Sequence, residues 1–258
     1  MKQNFTILFC FLSLFSFGQD ICHWFPEKCD ISTVNSPKNK IALVIANSNY
    51  ETDNLDLKNP KNDAKLMSKS FEELGFNIIL KQDLTKDDIY LEIESFKKNL
   101  KNYDFGIIYY AGHAIQNNNG DSYLLTTDHN EKNNVEDSGV NISELVLYFE
   151  QINKKCLIIL DACRNSNNTG LPKPSIEDPL NTKLAFSTSF GKTASDNSDL
   201  DNTIYSFYLS KLFLVDGLSI HDIFHNTSKK VLSVTNYKQY PVDYFGITIE
   251  DIILKNTK

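Results

Sequence analysis

Residues 155–165 read Lys-Cys-Leu-Ile-Ile-Leu-Asp-Ala-Cys-Arg-Asn, and no other stretch constrains the fold as strongly. Five apolar residues, Cys156 to Leu160, run without a polar break and include two β-branched isoleucines. A strand of that kind needs apolar cover on both faces, which is the condition of a buried strand in an α/β sheet. The run stops at Asp161, and a thiol follows two positions later at Cys163. Open α/β sheets gather their chemistry just past the carboxyl ends of their strands. Residues 104–114, Asp-Phe-Gly-Ile-Ile-Tyr-Tyr-Ala-Gly-His-Ala, repeat the layout: an apolar strand, small residues, then His113. If the two strands are parallel neighbours, His113 and Cys163 stand side by side at one sheet edge. A cysteine nucleophile needs a base, because an ordinary thiol is only a few per cent thiolate at neutral pH.

The rest of the chain supplies the elements around these two strands. Residues 41–46 are an all-apolar strand, and 47–59 a loop rich in Asn and Asp. Asn59-Pro60 offers an N-cap and a first-turn proline, followed by Ala64, Met67, Phe71 and Leu74 at helical spacing and a stop at Gly75. Phe76 to Leu80 is a second strand. Thr85 and Asp88 form a capping-box pattern for a helix marked by Ile89, Ile93, Phe96 and Leu100. Residues 115–126 read as a hairpin around 117–120, residues 128–138 as a polar loop, and Ser143 as the cap of a helix running to Ile152. The stretch 164–182 is poor in apolar residues, with three prolines, and reads as a surface loop. A strand at 183–188, helices at 204–215 and 219–234, and a last strand at 244–249 complete the chain. Strand–helix–strand units in succession predict a three-layer α/β/α sandwich around a mostly parallel sheet of about six strands.

At 258 residues with 41% hydrophobic content, the chain suits one sizeable domain. A net charge of −7 argues against nucleic acid or anionic lipid as a partner. Lys2 followed by a mostly apolar run from Phe5 to Phe17, with the small residues Ser16 and Gly18 near its end, fits a secretory signal peptide over residues 1–19. The expected order is then signal peptide 1–19, an N-terminal segment and linker 20–40, and the main domain 41–258, secreted or periplasmic, with no membrane contact after signal cleavage. In that setting Cys22 and Cys29 can close a small disulfide loop or remain free thiols, Cys156 is a small core residue, and Cys163 must stay reduced to act.

Four motifs, in this order, carry a resemblance: Ala-Leu-Val-Ile-Ala-Asn at 42–47, Asn-Pro-Lys-Asn-Asp-Ala at 59–64, Tyr-Ala-Gly-His at 110–113 and Leu-Asp-Ala-Cys-Arg-Asn at 160–165. From about Lys40 to the C-terminus the chain resembles a caspase-like cysteine peptidase, on the bacterial metacaspase and orthocaspase branch. The fifty-residue step from His113 to Cys163 is also that of caspases. The resemblance implies a caspase-like sheet, a protein or peptide substrate, a His113–Cys163 dyad, and an oxyanion hole from the backbone N–H groups of Cys163 and Ala114. The family has glycine at the Ala114 position, so this residue is a departure; with a left-handed backbone there, alanine would cost about 1 kcal/mol or more. The resemblance further implies that Asp63 and Asp161 line the first specificity pocket and bind Lys or Arg. The loop 164–183, with Arg164, Lys173 and Lys183, is implied as a site of self-cleavage.

Plainer readings compete. Asp63 also suits a helix N-terminus, and Asp161 a turn hydrogen bond. An inactive caspase-fold interaction or signalling module is the rival to a peptidase. A nucleotide-binding protein is set aside, because no glycine-rich phosphate loop follows a strand. No cofactor is implied. The acidic stretch 196–202 lacks the calcium-loop pattern, so calcium activation has no clear site, and no metal ligand set is expected. His221 and His225, four apart on a helix, read as a surface pair without a third ligand. His23 and His129 have no catalytic context.

Overall fold

The computed structural model describes residues 36–117, 119–130, 132, 134–165, 179–188 and 201–256, with 163–165 given by their backbone. The expected signal peptide, His23, the Cys22–Cys29 pair, Lys173 and most of the 196–202 stretch lie outside these residues. The described part belongs to one compact unit, Asn35–Lys258.

The apolar runs form the strands. β1 (Lys40–Ala46), β2 (Phe76–Gln82), β3 (Phe105–Gln116), β6 (Lys155–Asn165) and β7 (Thr182–Phe186) pair in parallel in the order β2-β1-β3-β6-β7. β8 (Val242–Phe245) closes the edge antiparallel to β7. Between β1 and β2 runs α1 (Pro60–Glu73); α2 (Lys86–Leu100) connects β2 to β3. The Thr85–Asp88 capping box is present in full. Asn59 sits at the α1 N-cap with a helical backbone and makes no side-chain cap bond. The hairpin after β3 returns as β4 (Ser122–Leu125), antiparallel to residues 114–116. α4 (Ile142–Glu150) leads into β6, and α5 (Ile204–Phe213) and α6 (Ile220–Val234) follow β7.

Alternation along the strands divides the core in two. Val44, Tyr109 and Ile159 join the face covered by α1, α5 and α6. Leu43, Tyr110, Cys156 and Ile158 join the face covered by α2 and α4. This is the expected three-layer sandwich with a mostly parallel sheet, six strands on its main path.

Several local expectations need correction. Residues 128–138 are not all loop: α3 (Val135–Ser138) forms there and runs into β5 (Gly139–Asn141), which pairs with β4. Three-residue strands are too short for alternation to show. Asn141, not Ser143, caps α4, its side chain accepting the N–H groups of Ser143 and Glu144. The last expected strand is interrupted at Gly246 (φ 70°), after which Ile247–Ile249 coil into a 3-10 turn. An added Cβ at Gly246 would lie 2.6 Å from Lys183 Cβ. Lys183 is itself only 1% exposed, and its ammonium meets Asp243 at 2.5 Å and Glu250 at 3.1 Å. A buried, paired lysine inside a strand is no site for self-cleavage, so that part of the expectation fails.

The most consequential correction concerns β6. The strand does not end with its apolar run. β1 leaves β3 at the Ala46–Ala111 pair, and β7 leaves β6 at the Phe186–Leu160 pair. β3 and β6 continue together to Ile115 and Asn165. His113 and Cys163 therefore sit where β3 and β6 outrun β1 and β7, just before β4 joins β3 at Ala114.

Candidate active site

His113 and Cys163 occupy paired positions, two steps beyond the Ala111–Asp161 pair. His113 Nε2 lies 2.8 Å from the Leu55 carbonyl oxygen. A carbonyl only accepts, so Nε2 carries the hydrogen and the neutral ring offers Nδ1 as its basic nitrogen. Burial pushes the His113 pKa down, with the Leu55 carbonyl opposing. The imidazole thus favours its neutral form, ready to take a proton. Its main-chain N–H donates to Tyr50 Oη at 3.0 Å, and its main-chain oxygen accepts from Tyr110 Oη at 3.1 Å.

Ala114 follows in ordinary strand geometry. Among the described residues the left-handed non-glycine positions are Asp83, Asn153, Asn236 and Tyr237, so the alanine carries no backbone penalty. It belongs to the core cluster beneath α2 and α4. The other thiol of β6, Cys156, is fully buried and its pKa is driven far up by burial, which makes it a poor nucleophile.

The two acids come together. Asp63, in the first turn of α1, is 1% exposed; its Oδ1 accepts from Asn202 Nδ2 at 3.0 Å and from the Thr203 N–H at 2.9 Å. Asp161 Oδ2 accepts from the hydroxyls of Thr203 and of Ser206, the latter at 2.6 Å. Asp161 Oδ1 is buried and, among the described residues, has no hydrogen-bond partner. Burial, then repulsion from Asp161, pushes the Asp63 pKa up to about 8. Burial likewise raises Asp161, against the pull of Ser206 and Thr203. A carboxylate pair of this kind holds a proton at neutral pH while it lacks a cation.

The structure brings the expected His113 and Cys163 into register and gathers Asp63 and Asp161 around Thr203; Tyr50 and Leu55, in a loop that read only as polar, and the Asn202–Thr203–Ser206 group are not expected from the sequence. A lone tyrosine in an Asn- and Asp-rich loop was the available signal for the first. A Thr followed three residues later by Ser at a helix start was the signal for the second. His221 and His225 stack with rings 7° from parallel, and among the described residues no group of three His, Cys, Asp or Glu side chains is placed to hold a metal. His129 is buried with Nδ1 2.6 Å from Oγ of Ser138, the last residue of α3.

The architecture is that of a caspase. The crystal structure of the Drosophila initiator caspase Dronc matches with a TM-score of 0.66, covering 83% of this chain and 82% of that one at 15% identity. The chain belongs to the Caspase domain family, which matches residues 39–249, and so to a family of cysteine peptidases that act on proteins. Human mucosa-associated lymphoid tissue lymphoma translocation protein 1 is 27% identical over 184 residues, and the mouse homologue matches to the same extent. Those residues are 69% of this chain and 22% of each relative, so the chain spans about a fifth of the length of these proteins.

The acid pair makes stability depend on pH. Below about pH 4 the folded and unfolded chains both keep the Asp63 proton. Between there and about 8 the unfolded chain ionises while the folded one does not, so stability falls as pH rises and then levels off. Asp63→Asn keeps a carbonyl oxygen for Asn202 and Thr203 but removes the titration. Its Tm should exceed that of the wild type by about 3 °C or more at pH 8, with the gap closing at pH 4. Equal gaps at both pH values would contradict the raised Asp63 pKa.

Proposed function

We propose that this chain is an exported cysteine endopeptidase that cleaves after Arg or Lys. The observation that carries the reading is the register of His113 opposite Cys163, with Nε2 occupied by Leu55 and Nδ1 left as the base. In the proposed cycle His113 Nδ1 takes the Cys163 thiol proton and the sulfur adds to the scissile carbonyl carbon. The resemblance assigns the oxyanion to the N–H groups of Cys163 and Ala114, which lie on the β3–β6 ladder in this structure and must come free of it to act. Collapse breaks the C–N bond, the amine leaves with the proton from the imidazolium, and a thioester remains. Water, deprotonated by the same nitrogen, then releases the acid and restores the thiol. No metal or cofactor enters these steps.

Asp63 and Asp161 support basic specificity. A cation leaving water needs a desolvated counter-charge, and here two raised carboxylates stand beside one bare oxygen, Asp161 Oδ1. This also supports placing the chain on the metacaspase and orthocaspase branch. The rival reading is an inactive interaction module that has lost activity through Ala114; that residue has no left-handed backbone, and labelling by an active-site thiol probe separates the two readings. Export rests on the apolar run Phe5–Phe17, and self-cleavage on Lys173, since Arg164, like Lys183, lies within a strand, paired with Ala114.

A panel of fluorogenic peptides tests the activity, with Cys163→Ala beside the wild type. Arg and Lys substrates should be cleaved only by the wild type, and a preference for Asp before the scissile bond would refute the pocket. Asp161→Ala should lower kcat/KM for Arg and Lys substrates by about 10²-fold or more, leaving thiol alkylation intact. Loss of alkylation in that variant would instead make Asp161 a support of the dyad. For export, N-terminal sequencing of the mature protein should begin near residue 20; residues before Cys10 would refute it.

A further inference from the structure

β1 ends before β3 does, and the structure fills the gap in one particular way. Asn47 N–H donates to the Ala111 carbonyl at 2.9 Å, the last main-chain bond from the β1 side. Groups two residues apart on a strand point the same way, so the N–H and C=O of His113 also face the side that β1 has left. Unmet, they would cost the free energy of buried, orphaned backbone groups. The N–H donates to Tyr50 Oη, and the oxygen lies 3.1 Å from Tyr110 Oη, whose single proton it shares with the nearer Leu125 carbonyl at 2.7 Å.

Tyr50 does more than cap this backbone. Its ring lies 5.1 Å, centroid to centroid, from the His113 imidazole, tilted by 55°. The Leu55 carbonyl holds the imidazole at Nε2 alone, and a ring held at one atom can still pivot about that bond. The Tyr50 ring blocks the pivot from one face. Tyr50 is itself fixed: its N–H donates to Asp56 at 2.8 Å, its phenol is buried, and its pKa is pushed up to about 12 by that burial. The fit is tight enough to dictate a neighbour. A Cβ on Gly112 would stand 2.5 Å from Tyr110 Oη and 3.0 Å from Tyr50 Oη, so glycine is required there by space.

We propose that Tyr50 is a positioning residue for the His113–Cys163 pair, taking the His113 N–H that the missing strand would have met and acting as a wall for the imidazole. This rests on the dyad reading above. Tyr50→Phe keeps the ring and loses the acceptor; Tyr50→Leu loses both. The expected result for Tyr50→Phe is a kcat lowered about tenfold with KM within about twofold, the size of effect one hydrogen bond has on a transition state. Tyr50→Leu should fall further, and in both variants the pH profile of Cys163 alkylation by iodoacetamide should shift from that of the wild type. A merely structural tyrosine would lower Tm and leave the alkylation profile of the folded protein where it was, and that outcome overturns the proposal. A wild type whose Cys163 alkylates no faster than free cysteine refutes the dyad and the role of Tyr50 with it. A fast-reacting wild type matched by both variants refutes Tyr50 alone.

Discussion

Everything at the site depends on the pairing of β3 with β6 beyond the point where their outer neighbours stop. Within the sheet each strand is flanked on both sides and its residues are committed to the core. Past Ala111 and Asp161 the pair has lost β1 and β7, β4 joins β3 only from Ala114, and the positions freed between carry His113 and Cys163. Parallel pairing fixes residue against residue, so a slip by one position would turn every following side chain to the other face. The long apolar runs below the site, buried under helices on both sides, hold that register.

Strands that outrun their neighbours expose backbone, and the surrounding loops answer this need. The loop after β1 supplies Tyr50 and the Leu55 carbonyl, and is pinned by Asp83, which accepts from the N–H groups of Ser48 and Asn49 and pairs with Lys61. The start of α5 supplies Thr203, whose N–H and hydroxyl engage Asp63 and Asp161. These two supports leave the groups opposite in character. The histidine is buried into its neutral, basic form, and the carboxylates are buried into proton-holding forms that a cation would reverse.

Much of this was legible in the chain. The strands were readable because Ile41 to Ala46 and Cys156 to Leu160 are apolar without interruption, and the helices because of Thr85–Asp88 and the spacing of Ile89, Ile93 and Phe96. The two acids were found through a resemblance, since Asp63 alone suits a helix start equally well. What escaped was short or non-local. β5 has three residues, too few for a period. The extension of β6 past Asp161 depends on pairing with β3, which no local pattern reports. Lys183, at the junction of an expected loop and strand, reads as cleavable because its partners, Asp243 and Glu250, lie some sixty residues further on.

The central claim is that His113 activates Cys163 beside a pocket built for a cation. A peptide electrophile ending in arginine, reacted with the protein and located by mass spectrometry, tests it most directly. The account predicts one adduct, on Cys163, that forms far more slowly in His113→Ala and is outcompeted by Arg peptides but not by Asp peptides. Equal labelling of His113→Ala, or an adduct on Cys156, would contradict it.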